Sequence, residues 1–364
     1  MTAQNTLTPR PATTERDVSL RVLTGSALID RLPELSAFVA APGRVCLSRH
    51  PRWLTVLEES LGHRPYAIEA RRGEQIVGYL GLAYVKSLLF GRFLVSLPYL
   101  NYGGVTASDP AVAAAMIDSA VRLARELDVR YLELRHEWGV EHSDLSHRRS
   151  DKVHMRLDLP SSGGALWDQL SPKVRNQVRK ATKGDFQVRF GGPELTGEFY
   201  DVFSRNMRDL GTPVFSRRLF DAILRQFPDH AEICVVRDGS RPVAAALLLH
   251  GGGITEVPSA SSLREYNPAC VNMLMYWNLL ERATQRGQDV FDFGRSSENS
   301  PTFRFKRQWG AAPAPAEWQY CLLRGEIGEL RPDHPKYGRM IAIWKRLPLW
   351  FTRVAGPRIV RGIP

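Results

Sequence analysis

"AEICVVRDGSRPVAAALLLH", residues 231–250, is two apolar runs joined at Asp238-Gly239. Asp-Gly between runs of Val, Ile, Ala and Leu marks a β-hairpin, because glycine adopts the left-handed backbone of a tight turn at little cost. The stretch has an earlier counterpart, "PYAIEARRGEQIVGYLGLAYV" (65–85), which reads as strand, turn at Gly73, strand. Each hairpin is followed by further strand, then a helix, then a strand ending in arginine. In the first half these are "AAAMIDSAVRLARELD" and "VRYLELR", closing at Arg135; in the second, "VNMLMYWNLLERATQRGQ" and "DVFDFGR", closing at Arg295. The matched order predicts a tandem duplication of a mixed α/β unit.

The expected units are 18–150 and 151–330, preceded by a polar leader (1–17) that reads as disordered and followed by a basic tail (331–364). The second unit opens with an alternating strand, "DKVHMRLDL" (151–159). The helical stretch "GALWDQLSPKVRNQVRKATKG" (164–184) follows, with Ser171-Pro172 as a capping serine and an N1 proline. Trp167, Leu170, Val174, Val178 and Ala181 share one face of it by their three- and four-residue steps. The tail carries Lys336, Arg339, Lys345, Arg346, Arg353, Arg358 and Arg361 beside Trp344, Trp350 and Phe351, with no acid after Asp333. Breaks are expected at Pro348 and Pro357, and the tail reads either as an interfacial helix on an anionic membrane or as a helix docked across the units.

The 364 residues are 43% hydrophobic, enough for two cores, and the net charge of +11 favours anionic partners. Cys46, Cys234, Cys270 and Cys321 are widely separated. They read as reduced, mostly buried side chains, which fits the cytoplasm. The first residues lack the apolar stretch of a signal peptide, and no run reaches the roughly 18 apolar residues of a spanning helix. No HxxxH pair suits a metal and no G-x-S-x-G nucleophile is present.

Chemistry concentrates in "FDFGRSSENSPTFRFKRQWGA" (291–311), where Arg304, Lys306 and Arg307 sit among Phe303, Phe305 and Trp309 past the end of a buried strand. Either this is a solvated helical turn, with Lys306 lying along an aromatic side chain, or it handles a negatively charged group. Lys173, Arg175, Arg179, Lys180 and Lys183 form a stripe without an acid, suited to nucleic-acid phosphates or simply to water. The loop "SLPYLNYGG" (96–104) offers Tyr99, Asn101 and Tyr102, either to stack on and hydrogen-bond a sugar or nucleotide or as a packed aromatic turn; Lys86 is a weaker candidate nearby. Asp292, between Phe291 and Phe293, reads as a structural hydrogen-bonding residue.

Residues 291–311, the helix "VRNQVRKA" (174–181) and "LFGRFLVSLPYLNYGGV" (89–105) together resemble the FemAB-like proteins. Within that group they are most similar to the branch associated with exosortase (PEP-CTERM) and exopolysaccharide systems. The resemblance spans residue 20 or so to the C-terminus. It implies two tandem acyltransferase domains of the GNAT fold, and transfer of an aminoacyl or acyl group to an amine of a cell-envelope or exopolysaccharide precursor. In the "FKxxxG" segment of that group the lysine faces the donor ester, which here is Lys306 with Phe305 beside it. Such a cation would stabilise the oxyanion of ester aminolysis, a contribution of about 3–4 kcal/mol. Arg295, Arg304 and Arg307 would hold the anionic donor, the helix cations the acceptor stem of a tRNA, and Tyr99, Asn101 and Tyr102 the acceptor. Glu256 stands where such folds often place a base, though as a strand residue it reads as surface-facing.

No cofactor is expected; the donor is aminoacyl-tRNA or an acyl thioester. The stretch "SSLREYNPACVNML" (261–274) lacks the glycine-rich turn that cradles a CoA pyrophosphate, which disfavours CoA but not an acidic acyl carrier protein. The expected acceptor is a lipid-linked or nucleotide-linked saccharide, and the expected location is cytoplasmic, with peripheral contact at the inner face of the membrane. The alternatives are a thioester-dependent N-acyltransferase and a non-catalytic module binding RNA or another polyanion.

Overall fold

A computed structural model of the chain describes residues 18–41, 47–87, 90–325 and 338–363. The leader, Cys46 and Lys336 lie outside the described residues. The first half contains β1 (Val18–Leu23), α1 (Gly25–Ala40), α2 (Trp53–Leu61), β2 (Arg64–Arg72), β3 (Gln75–Ser87), β4 (Gly91–Val95), β5 (Thr106–Ala107), α3 (Pro110–Glu126), β6 (Tyr131–His136) and β7 (His147–Arg149). The second contains β8 (Lys152–Asp158), α4 (Gly163–Gln169), α5 (Pro172–Thr182), β9 (Phe186–Gly191), α6 (Thr196–Leu210), α7 (Arg217–Gln226), β10 (Ala231–Asp238), β11 (Arg241–Gly251), β12 (Ile254–Ser262), α8 (Val271–Gln285), β13 (Val290–Ser297), α9 (Pro301–Arg307) and β14 (Ala312–Ala314). β15 (Glu317–Leu322), α10 (Gly338–Trp344) and α11 (Leu349–Val360) follow.

The duplication is visible strand by strand. Hairpins β2–β3 and β10–β11 turn at Gly73 and Gly239, both left-handed with φ of 63° and 54°. Each sheet then has one parallel pair, which needs a crossover and obtains it from a helix: β4–α3–β6 in one, β12–α8–β13 in the other. Both parallel pairs are only three residues long: Phe93–Val95 on Tyr131–Glu133, and Ile254–Glu256 on Val290–Asp292. Past Glu133 and Asp292 the paired strands part, and both openings are followed by the arginines that close the repeat.

The second unit is expected over 151–330, yet β15 leaves it and pairs antiparallel with β6. The first sheet therefore runs β1-β2-β3-β4-β6-β15-β7 with β5 against β3, and the second β14-β8-β13-β12-β11-β10-β9. The physical reason is edge completion. β15 is buried over Trp318–Cys321, and its Trp318, Tyr320 and Cys321 fill apolar ground on the first sheet. The halves also share one core, in which Trp53 of α2 meets Phe227 at 5.1 Å, so they are packed against each other rather than merely linked.

Local readings around the site hold. Ser171 caps α5 by accepting from the Val174 N–H, with Pro172 at N1. Leu170, Val174, Val178 and Ala181 are buried and Trp167 is half-buried. Cys234 and Cys321 are buried, Cys270 is half-buried, and all three are free thiols. The expected break at Pro357 does not occur: α11 continues through it, its neighbour Gly356 lying so close to the Val214 backbone that a Cβ would stand 2.8 Å from that nitrogen. The break at Pro348 does occur, between α10 and α11. No helix among the described residues is long and apolar enough to cross a membrane.

Candidate active site

α9 explains the aromatic and basic run. Ser300 caps it and Pro301 opens it. Phe303, Lys306 and Trp309 then fall on the buried side at three-residue steps, while Arg304 and Arg307 face water. Phe305 is half-buried against Tyr276, ring centroids 5.0 Å apart. Lys306 is thus neither a solvated lysine nor a residue lying along an exposed ring. Its Nζ donates to the carbonyls of Gly294 and Arg295, each at 3.0 Å, where β13 has parted from β12. Gly294 is left-handed there (φ 75°), and the register against β8 shifts at this bulge. Burial pushes the Lys306 ammonium down to about 8, the Asp292 carboxylate opposing the shift and Arg295 adding to it. An ammonium has three donors, and two are committed to the strand.

Asp292 is the hub expected of a structural hydrogen-bonding residue. It accepts from the Gly294 N–H (2.6 Å), from Arg156 Nε (3.2 Å) and from the Tyr102 hydroxyl. Arg156 also donates to Tyr102 (2.8 Å) and pairs with Glu137, which holds Arg49. Tyr102 therefore fastens the first half to the second and is not among the residues that line the cavity between the units. Glu256 is not surface-facing, because β12 is an inner strand: it is buried, and Ser48 donates to it through backbone N–H (3.3 Å) and hydroxyl. A second tie between the halves results.

Between the units lies a cavity of about 570 Å³. Tyr99 and Asn101 line it from the first-half loop, Arg295 from β13, Arg135 and Glu133 from β6, and Trp318 and Tyr320 from β15. The two repeat-closing arginines meet on one indole: the Arg135 and Arg295 guanidinium carbons stand 3.9 and 3.2 Å from the Trp318 ring centroid. Their circumstances differ. Arg135 is satisfied, donating to Glu133 (2.7 Å) and to the Leu100 carbonyl (2.7 Å). Arg295 pairs with no carboxylate among the described residues, and its buried Nε has no hydrogen-bond partner. Burial, with Arg135 beside it, pushes the Arg295 guanidinium down to about 9, Glu133 opposing. A half-buried cation left open to a cavity is a seat for an anion.

Tyr99 is held in a left-handed backbone (φ 70°), its hydroxyl bonded to His63 Nε2 (2.9 Å) and to the Arg361 carbonyl of the tail. Lys173, Arg179 and Lys180 stand exposed on α5 and Lys183 at its C-cap, Arg175 is half-buried, and none has an ion pair among the described residues. They do not reach the cavity. Arg307 lines a separate open hollow with Glu298, Asn299 and Phe303, and Arg304 donates to the Asn299 carbonyl. Lys86 does not line the cavity either. Sequence reasoning missed Trp318, Tyr320 and Glu133; the matched arginine ends of the two repeat strands were the available signal.

Residues 171–307 match the family model of the acetyltransferase (GNAT) domain. The chain has a tandem GNAT fold. A solved structure described as FemX superposes with a TM-score of 0.61 at 14% identity, covering 85% of this chain and 98% of that one. L-PGS from Bacillus licheniformis gives 0.54 at 13%, covering 86% and 96%. A tandem GNAT protein from the clavulanic acid biosynthesis pathway gives 0.50 at 11%, covering 85% and 100%. At these identities the likeness is one of fold. No curated protein matches the sequence.

Proposed function

We propose that the chain is an acyltransferase moving an aminoacyl or acyl group from an ester or thioester donor to an amine of an anionic cell-envelope or exopolysaccharide precursor. The observation that carries this reading is Arg295, a half-buried guanidinium with no carboxylate partner among the described residues, stacked on Trp318 in the cavity between two GNAT-fold units. The amine nitrogen attacks the donor carbonyl carbon. A C–N bond forms, the C–O or C–S bond breaks, and the proton lost by the amine leaves with the hydroxyl or thiol. Lys306, which does not itself line the cavity but donates to the carbonyl of the lining Arg295 and has one N–H uncommitted among the described residues, is assigned to the oxyanion. Arg295 holds a phosphate or carboxylate of the substrate, and Tyr99 and Asn101 contact the acceptor. The FemX likeness and the resemblance to FemAB-like proteins favour an aminoacyl donor, and the exosortase-associated branch favours a saccharide-linked acceptor. The basic face of α5 is assigned to tRNA phosphates.

The test is label transfer by purified protein into lipid-linked and nucleotide-linked saccharide fractions, with charged tRNA and acyl thioesters as parallel donors. Transfer from charged tRNA, lost in Lys306→Met, is the expected result. Transfer from thioesters alone would move the protein to thioester-dependent N-acylation. No transfer from either, with salt-sensitive RNA binding retained, would favour a non-catalytic binding module.

A further inference from the structure

The tail settles on the molecule by one face and leaves the other unpartnered. On the inner side Thr352, Gly356 and Val360 of α11 are buried, and Arg353 donates to Ser204 (2.9 Å) and Asp201 (2.6 Å) on α6. The outer side is apolar and basic. Five of the nine large hydrophobic side chains that stand exposed among the described residues fall in this short stretch: Met340, Ile343, Trp350, Phe351 and Val354. Water alone does not account for such a concentration. Arg339, Lys345, Arg346, Arg358 and Arg361 are exposed around them without a carboxylate partner among the described residues, and residues 338–363 contain no acid.

We propose that this outer face of α10 and α11 docks on an anionic lipid surface. The arrangement is that of an interfacial helix pair: Trp and Phe at the depth of the headgroups, and Lys and Arg reaching lipid phosphates. Charge favours a uniformly anionic plane over an acid-lined protein groove, because the exposed cations are interspersed with the exposed apolar residues along the tail rather than gathered at one end. The position of the face adds a consequence. Met340 is 64% exposed and Leu210 49%, yet both line the inter-unit cavity, so they stand at its rim. Ile341, Trp344, Ile359 and Ile363 continue the same wall. Docking through α10 and α11 therefore holds an apolar rim of the cavity at the membrane, with Arg295 inside it. An acceptor carrying an anionic head on a hydrocarbon chain can pass from the bilayer to the cavity without crossing water. Docking itself stands on the tail alone and does not depend on the transfer reaction.

The experiment is flotation of the full chain with vesicles of phosphatidylcholine alone and of phosphatidylcholine with phosphatidylglycerol. Lys345→Glu/Arg346→Glu and Ile343→Ser/Trp350→Ser are the variants, since none of these residues lines the cavity. The expected result is binding to the anionic vesicles that weakens with salt and falls at least about tenfold in each variant. Arg295→Met should bind vesicles as the parent does, which separates failure of docking from failure of catalysis. Equal binding of parent and variants, absence of binding to anionic vesicles, or a solution dimer that buries Trp350 would each overturn the proposal.

Discussion

Lys306→Met removes an ammonium that sits in a buried site between two carbonyls of β13. Burial lowers the amine from its ordinary 10.5 to about 8. The unfolded chain thus holds this proton more tightly than the folded one, and stability must rise with pH between those two values. At about 1.36 kcal/mol per unit the gain is on the order of 3 kcal/mol, complete only above the unfolded value. Below pH 8 both states keep the proton and Lys306 contributes no slope. Activity should run the other way, because the oxyanion needs a charged donor: transfer should fall as pH rises through about 8. Urea unfolding of the parent and Lys306→Met at intervals from pH 7 to pH 10.5 tests the first half, since titrations common to both cancel in the difference. The parent should gain relative to the variant across that range. Parallel stability curves would refute the desolvated ammonium, and with it the reason for assigning Lys306 to the oxyanion.

Asp292→Ala should cost about 3 kcal/mol or more in urea unfolding, because Arg156, the Gly294 N–H and Tyr102 lose a shared acceptor in a buried position. His154→Phe should lie within about 1 kcal/mol of the parent at pH 7, since neither ring nitrogen has a hydrogen-bond partner among the described residues and the ring is stacked on Tyr102 at 4.2 Å. Burial pushes His154 down to about 2, aided by Arg156, Arg295, Arg49 and Lys306. The unfolded histidine therefore binds a proton first, and stability should fall as pH drops below about 6.5, less steeply in His154→Phe. A thermal-unfolding series from pH 7 to pH 4 measures that difference.

The repeat was legible because its signals are local. Turn glycines, apolar runs, the Ser171-Pro172 cap and the buried face of α5 all depend on near neighbours in the chain, and the structure has each of them. β15 was not legible, since "EWQYCL" reads only as a strand and nothing local says which sheet it completes. Glu256 was misread for the same reason. Its partner Ser48 lies 208 residues away, so a buried carboxylate looked like a surface one. Lys306 was singled out from its aromatic neighbours and from a family resemblance, but its attachment to the Gly294 and Arg295 carbonyls needs the β13 bulge in place. The convergence of Arg135 and Arg295 on Trp318 combines the locally legible duplication with two facts that are not local: the bulge, and the return of β15 to the first sheet.

The claim that substrate binds in the inter-unit cavity is tested most directly by steady-state transfer kinetics of Arg295→Met. The side chain retains apolar contact with Trp318 but loses the open guanidinium. The account predicts a folded protein whose KM for the anionic substrate rises by roughly tenfold or more, the worth of a charge-assisted hydrogen bond of about 1.5–3 kcal/mol. Unchanged KM and kcat in a folded Arg295→Met protein would place the reaction elsewhere and contradict the account.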